Sequence, residues 1–457
     1  MKLAATVRIL TVVCGASTPL PAQLTLAQAV ENALHNYPAV RVSQAQMDAA
    51  AAGIRLARTA YLPRVDALAQ INRATRNNVF GLLLPTQSVI PSMSGPVIGS
   101  NNFGTAWGSA VGGLVTWEPF DFGLRRANVE AASASRAQTE AALKRTQFDV
   151  TVATADAYLT LAAAQETVRA AQAGVARGET ILRTIKALVN AELRPGADAS
   201  RAEAELAAAR TQLIQAEQAT EVARATVSQF VGLEPARIAI SAPGLVQLPP
   251  EQNIAPLDTA AHPLAREQSA IVEQAQAQLR ALERSYFPRF YLQGAAYARG
   301  TGAETDGRLL GGLNGLAPNV QDYALGLTVS FPVADLPAVQ AREAAQSAAV
   351  RAQAARSEQI SADLRAQWNI AVAAVQGARR IAANTPLQVS AARVAADQAT
   401  ARYQSGLGNV DAVAEAQRLL AQAEIDDALA RLGVWRGLLA VATAAGDIRP
   451  FVAEVGQ

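Results

Sequence analysis

The chain has 457 residues, is 50% hydrophobic and only 5% aromatic, and owes much of its apolar content to alanine. It is too long for one domain of the usual ~150 residues, and such a composition favours long helices over a large globular core. With 40 basic and 38 acidic residues interspersed, the net charge of +2 gives no basis for nucleic-acid binding.

Residues 1–22 have the form of a secretory signal. Lys2 and Arg8 precede a short apolar core over 9–13, and Leu20, Pro21 and Ala22 form the expected cleavage region. The single cysteine, Cys14, is either discarded with the signal or is the lipid-anchored first residue of a lipoprotein. Val13 is bulky where lipoprotein signals want a small residue, which favours removal. Either way no disulfide pair remains. No later stretch reaches the ~18 apolar residues of a membrane-spanning helix, so entry into a bilayer would require strands.

From there the same series of elements occurs twice. The first copy, over 23–231, has a helix after Pro38 (39–59), a strand (64–75), a Gly/Asn/Pro/Ser-rich loop, a strand (107–117), a helix over about 124–189 and a returning helix (199–231). A Pro-rich linker covers 232–263. The second copy, over 264–445, repeats the order: helix 264–285, strands 289–300 and 323–331, helix 337–403 interrupted by Pro386, and returning helix 410–444, before a tail over 446–457. Pro38 and Pro63 recur as Pro263 and Pro288, both 225 residues later (263 − 38, 288 − 63), and Tyr61, Arg64 and Arg55 recur as Tyr286, Arg289 and Arg280. Downstream the offset becomes 213, pairing Pro119 with Pro332, Asp198 with Asp411 and Leu206 with Leu419. Matched Tyr-x-Pro-Arg junctions in one order exclude chance similarity between Ala-rich helices.

Each long helix would span roughly 100 Å at ~1.5 Å per residue and needs partners along its length. The first returning helix carries such a seam: Leu206, Ala209, Leu213, Ala216, Thr220, Ala223, Val227 and Phe230. In the second, Leu429, Leu432 and Leu439 fit one. The strands alternate. Tyr323, Leu325, Leu327, Val329 and Phe331 share a face, with Ala324, Gly326, Thr328 and Ser330 opposite. Trp107, Val111, Val115 and Trp117 oppose Gly108, Ala110, Gly112 and Thr116, and Phe290 and Leu292 oppose Tyr291, Gln293 and Tyr297. This is the pattern of a membrane barrel wall, with Trp107, Trp117, Tyr323 and Phe331 as interface aromatics; a half-buried soluble sheet alternates in the same way. Two strands per copy cannot close a barrel, and open edges are not tolerated in lipid, so a barrel would need several chains.

These features resemble the TolC-like family of bacterial outer-membrane efflux proteins over nearly the whole mature chain. The resemblance rests on the duplicated Tyr-x-Pro-Arg junction, on "LVTWEPFDFG" (114–123), and on the turns "ELRPGADASRAEAEL" (192–206) and "YQSGLGNVDAVAEAQRLL" (403–420). It implies a mainly α protomer with a small β part. Three protomers would form an α-helical barrel and a 12-stranded transmembrane β-barrel, which is a passive exit duct in outer-membrane lipid with a long periplasmic extension. The implied partners are a second and third copy, a periplasmic adaptor and an inner-membrane pump, with no cofactor. The resemblance places adaptor contacts at the turns, on Leu193, Arg194, Pro195, Gly196, Asp198, Gly406, Leu407 and Gly408. The family's acidic ring falls on Ala412 and Glu415, with Asp411 adjacent, and Arg402 and Arg418 are the counter-charges. Asp198 and Asp411 also lie at helix starts, where carboxylates are favoured regardless. The linker is expected to pack beside the C-terminus.

No catalytic constellation is present. None of the three lysines, Lys2, Lys144 and Lys186, follows a glycine loop; two isolated histidines, His35 and His262, expected at helix entries or on the surface, make no zinc motif; and three methionines do not make a copper relay. Gly311 and Gly312 are simplest as a flexible outer loop. The competing function is a soluble periplasmic coiled-coil adaptor or scaffold, for which amphipathic strand pairs have no use.

Overall fold

The computed structural model describes residues 23–75, 104–240, 243–251, 255–304, 308–331 and 333–455. The signal segment with Cys14, most of the first inter-strand loop and Pro332 lie outside the described residues. The elements are β1 (Gln23–Leu24), α1 (Leu26–Asn36), α2 (Pro38–Thr59), β2 (Arg64–Thr75), β3 (Thr105–Phe120), α3 (Leu124–Asn190), α4 (Gly196–Val231), β4 (Ala239–Ile240), α5 (Pro263–Arg284), β5 (Arg289–Thr301), β6 (Val320–Ser330), α6 (Leu336–Gln404), α7 (Val410–Ala445) and α8 (Arg449–Val455). They divide into two compact units, one of Met1–Ala45, Ala141–Glu267 and Ser357–Gln457, the other of Gln46–Glu140 and Gln268–Arg356. Pro386 does not interrupt α6, which is continuous through it.

In the first unit, β1 and β4 pair in parallel. Around them Leu26, Tyr158, Leu161, Val227, Leu245, Trp435 and Phe451 form the main core. The Tyr158 hydroxyl donates to the Leu24 carbonyl at 3.0 Å. The seam expected on α4 faces inward: Leu206, Ala216, Thr220, Ala223 and Val227 are buried, and Ala209, Leu213 and Phe230 half-buried. On α7, Leu432 and Leu439 are buried, but Leu429 points outward at 40% exposure. Among the described residues α7 alone is long and apolar enough to pass as a membrane span. Its Val434, Trp435, Leu438 and Leu439 are instead core residues.

The linker joins α7 through the Trp435 indole, which donates to the Gln247 carbonyl at 3.0 Å, and Arg431, which donates to the Val246 carbonyl at 3.3 Å. His262 is buried, not on the surface, directly ahead of α5. Its Nε2 lies 3.1 Å from the Thr443 carbonyl, and its Nδ1 accepts from the Leu264 N–H at 3.1 Å. These bonds define a neutral tautomer, and burial lowers its pKa below the usual 6.5. His35 lies on the surface as expected, exposed in the last turn of α1 just ahead of α2.

In the second unit, four strands form one antiparallel sheet in the order β2-β3-β5-β6. Directly paired residues share a face, so the register assigns faces across the sheet. Val65 pairs with Val115, Val115 with Gly294, and Gly294 with Leu325. That face carries Val65, Ile71, Val111, Val115, Trp117, Leu292, Tyr323, Leu325, Leu327 and Val329. Tyr323 is 89% exposed, Leu325 78% and Leu327 66%. The register shift between Trp117 and Phe120 sets Phe120 opposite Phe290 on the same face. Phe331 falls just beyond β6 and is half exposed. The other face carries Arg64, Asp66, Thr116, Gln293, Tyr297, Arg299, Asp322 and Thr328, with ion pairs Arg64–Asp66 at 3.0 Å and Arg299–Asp322 at 3.2 Å. Gly112 is required there, because a Cβ would lie 2.3 Å from that of Tyr297.

The two helix-to-strand junctions use their matched tyrosines differently. Arg125 lies 4.8 Å above the Tyr61 ring and forms a buried pair with Asp121 at 2.9 Å. Burial alone would raise the Asp121 carboxyl, but the bonds from Arg125 and Gly123 outweigh it and hold the pKa below the usual carboxylate value. The Trp117 indole donates to the Tyr61 carbonyl at 3.2 Å. Tyr286 instead donates its hydroxyl to Glu343 at 2.7 Å.

Candidate functional site at the paired hairpin turns

The α3–α4 and α6–α7 turns, both in the first unit, share one backbone solution. In the second, Gly406 adopts φ +83°, its N–H reaches the Tyr403 carbonyl at 3.2 Å, and the Leu407 N–H reaches the Arg402 carbonyl at 2.9 Å. This is a Schellman cap, which satisfies two carbonyls at the end of α6. In the first turn Glu192 takes the same place at φ +60°, with Glu192 N–H to Val189 and Leu193 N–H to Leu188, both 2.9 Å. A non-glycine residue there costs about 1–2 kcal/mol. Leu193 and Leu407 project from the two turns at 70% and 74% exposure.

The shared cap sets the repeat offset here at 214 (406 − 192), so Leu206 matches Leu420, and both are buried. The offset of 213 read from sequence is one residue short: Leu419 is 50% exposed, and Asp198 corresponds to Ala412 rather than to Asp411. α6 is two residues longer than α3, so the offset rises from 212 at the helix starts (336 − 124) to 214 at their ends (404 − 190).

The two turns are joined side by side. The Tyr403 hydroxyl donates to Asp198 at 2.8 Å. The Arg194 guanidinium lies 4.3 Å over the Tyr403 ring and donates to the Tyr403 carbonyl. Tyr403 is only 2% exposed, packed with Ile185, Ala202, Val410 and Val413. Burial and the Asp198 bond raise its pKa to about 12. Around this core, Arg201 pairs with Asp411 at 2.5 Å, and Arg418 pairs with Glu205 at 3.5 Å and Glu415 at 3.4 Å. Further along the helices, Arg177 on α3 and Arg393 on α6 meet Glu424 on α7 at 2.7 and 3.4 Å.

Magnitudes rank these contacts. Pairs as exposed as Arg201–Asp411, at 50% and 54%, are worth ~0–1 kcal/mol. A hydrogen bond from a buried hydroxyl to a carboxylate is worth ~1.5–3 kcal/mol. Tyr403–Asp198 therefore outweighs the exposed ion pairs between the turns, and the Arg194 contact with Tyr403 adds to it. Among the described residues no group of three or more His, Cys, Asp or Glu is placed to hold a metal ion.

The family model for outer membrane efflux proteins matches residues 29–233 and 260–447, covering both copies of the repeat. The chain belongs to the outer membrane efflux protein family. It is thus an efflux component of the bacterial outer membrane. No curated protein matches the chain. Among solved structures, the outer-membrane channel OprN is 22% identical, with a TM-score of 0.71 over 92% of this chain and 89% of that one. The CmeC outer membrane channel of Campylobacter jejuni is 15% identical, with a TM-score of 0.73 over 94% and 89%. The open state of the MtrE channel of Neisseria gonorrhoeae is 19% identical, with a TM-score of 0.69 over 92% and 89%. These likenesses concern the fold.

Within this efflux-family frame, the residues singled out at the turns separate into groups. Asp198 faces Tyr403 and makes no N-terminal capping bond; the N-cap of α4 is Pro195, which has no side-chain bond to give. Asn409 caps α7 by accepting from the Ala412 N–H at 3.1 Å, which leaves Asp411 free to pair with Arg201. Arg402 is exposed and has no ion pair among the described residues. Tyr403, Arg201 and Glu205 escaped sequence reasoning. The one available signal was Tyr403 itself, one of only two aromatics, with Trp368, in an Ala-rich helix and one turn ahead of Gly406.

Proposed function

We propose that three copies of this chain form one passive duct, closing their four-stranded sheets into a twelve-stranded barrel in the outer membrane. Each protomer contributes two repeats, 23–231 and 264–445, to the wall. The observation that carries this reading is the sheet of the second unit. Its β2 and β6 edges have no further partner among the described residues, while one face exposes Tyr323, Leu325 and Leu327. Lipid accepts that apolar face but not unpaired edges. A soluble adaptor or scaffold has no use for such a face.

Efflux substrates are handed to the duct by an inner-membrane pump through a periplasmic adaptor, and the chain itself performs no catalysis. The adaptor engages the turns at Leu193, Arg194, Pro195, Gly196, Gly406, Leu407 and Gly408, where the two exposed leucines offer apolar contact. The same end forms the gate. Asp198 and Tyr403 lock the two hairpins of a protomer, and Asp411, Glu415, Arg402 and Arg418 set the charge at the constriction. Trp107, Trp117, Tyr323 and Phe331 sit at the membrane interfaces.

Light scattering of the detergent-purified protein tests the assembly. The expected mass is that of a trimer; a monodisperse folded monomer would exclude a barrel built from shared sheets.

A further inference from the structure

A cleft of 660 Å³ in the second unit lies where the apolar face of the sheet meets the helices. Its lining includes Phe120 at the end of β3, Phe122 in the turn that follows, Arg126 from α3, and Arg280, Glu283 and Arg284 from α5. The register shift in β3 puts Phe120 on the apolar face with Phe290. Phe122 stacks on Phe287 with ring centroids 5.2 Å apart. Arg280 and Arg284 are four residues apart, so both project from one side of α5. Arg126 is already paired with Glu130 at 3.0 Å. Arg280 and Arg284 have no ion pair among the described residues, although Arg284 lies 6.0 Å over the Phe287 ring.

Arg284 lies in the last turn of α5, where a cation suits the helix dipole, but Arg280 one turn earlier adds like-charge repulsion. The matching positions 225 residues earlier are Arg55 and Thr59, with Arg58 beside them, so the pair of arginines four residues apart belongs to the second copy alone. Guanidinium groups match phosphate in geometry and charge. Aromatic rings beside a basic pocket at membrane depth suit a lipid headgroup.

We propose that this cleft binds an anionic phospholipid from the adjoining leaflet. Arg280 and Arg284 hold the phosphate, and Phe120 and Phe122 pack against the glycerol and the upper acyl chain. This rests on the reading that the apolar face of the sheet meets lipid. A free phosphate would gain the arginines but not the phenylalanines, so the occupant is a membrane lipid rather than a soluble anion.

Native mass spectrometry of the detergent-purified protein, given equal phosphatidylglycerol and phosphatidylethanolamine, tests it. Phosphatidylglycerol should be retained preferentially, and Arg280→Ala with Arg284→Ala should lower its retention about tenfold while lowering that of phosphatidylethanolamine, whose ammonium already opposes the arginines, by much less, so that the preference is lost. Glu283→Gln, which removes a nearby negative charge and spares both arginines, should raise phosphatidylglycerol retention. Equal retention of the two lipids by the wild type, or no response to either set of substitutions, would overturn the proposal. Displacement of phosphatidylglycerol by excess inorganic phosphate would also overturn it, in favour of a soluble-anion site. Failure to retain any lipid of either class would instead count against the membrane placement of the sheet.

Discussion

Tyr403, near the end of α6, donates its hydroxyl to Asp198, in the first turn of α4, at 2.8 Å, and so ties the first repeat to the second across 205 residues of sequence. The ring is buried and the carboxylate half-buried, so the bond is shielded from competing water. Tyr403→Phe keeps the ring and its contact with Arg194 and removes only the hydroxyl. The expected loss is ~1.5–3 kcal/mol of closure, a 10- to 100-fold shift toward the parted turns. Arg201→Ala should shift it by less than about fivefold. Single-channel conductance in planar bilayers reads both; an equal response to the two would show that the hydroxyl bond is not the dominant tie.

The same tie carries a pH dependence at the alkaline end. The folded-state pKa of Tyr403 is raised from 10.0 to about 12, by burial first and by Asp198 second. A raised pKa means that the fold favours the protonated form. The contribution is whole below pH 10.0 and is lost as pH climbs from there through about 12. Hydrogen exchange at the two turns should accelerate over that window in the wild type and much less in Tyr403→Phe. An identical rise in both would point to other groups.

A third prediction concerns the acidic residues of the α7 start. Asp411 and Glu415 each face an arginine of their own chain, yet their side chains remain 54% and 74% exposed. Three copies around one constriction would still concentrate negative charge and draw in cations. Asp411→Ala and Glu415→Ala should weaken divalent-cation block of the channel. Arg402→Ala, which removes an unpaired positive charge, should strengthen it. Unchanged block in all three variants would make these residues ordinary surface charges.

His262 supplies the acid-side prediction. Burial lowers its pKa below 6.5, opposed by the bond to the Thr443 carbonyl and by nearby Asp149, while Arg145 lowers it further. A depressed pKa means that the fold favours the neutral ring. Its contribution is whole above pH 6.5 and is lost as pH falls through the folded-state value. Protonation at Nδ1 would oppose two donors at the Leu264 N–H. Thermal unfolding followed below pH 6.5 should show a falling midpoint that His262→Gln flattens. Asp149, Glu267 and Arg145 share this joint, so the variant must flatten the slope, and a parallel slope would assign it to the carboxylates.

Much of this protein is determined by the sequence alone. The change from a helical period to an alternating one at Pro63 and Pro288 is local chemistry, because a proline withdraws a backbone donor and the side-chain pattern then specifies strand. The duplication, the strand faces and the inward seam of α4 follow from the order of residues for the same reason. What only the tertiary structure decided depends on which distant residues meet. The offset of 214 at the turns, the outward turn of Leu429 on α7, the burial of His262 and the choice of Asn409 over Asp411 as cap are set by packing between elements far apart in the chain. The Tyr403–Asp198 tie is the clearest case. In sequence Tyr403 is one aromatic in a helix and Asp198 one acid in another, and nothing short of the packing of α4 against α6 makes them donor and acceptor.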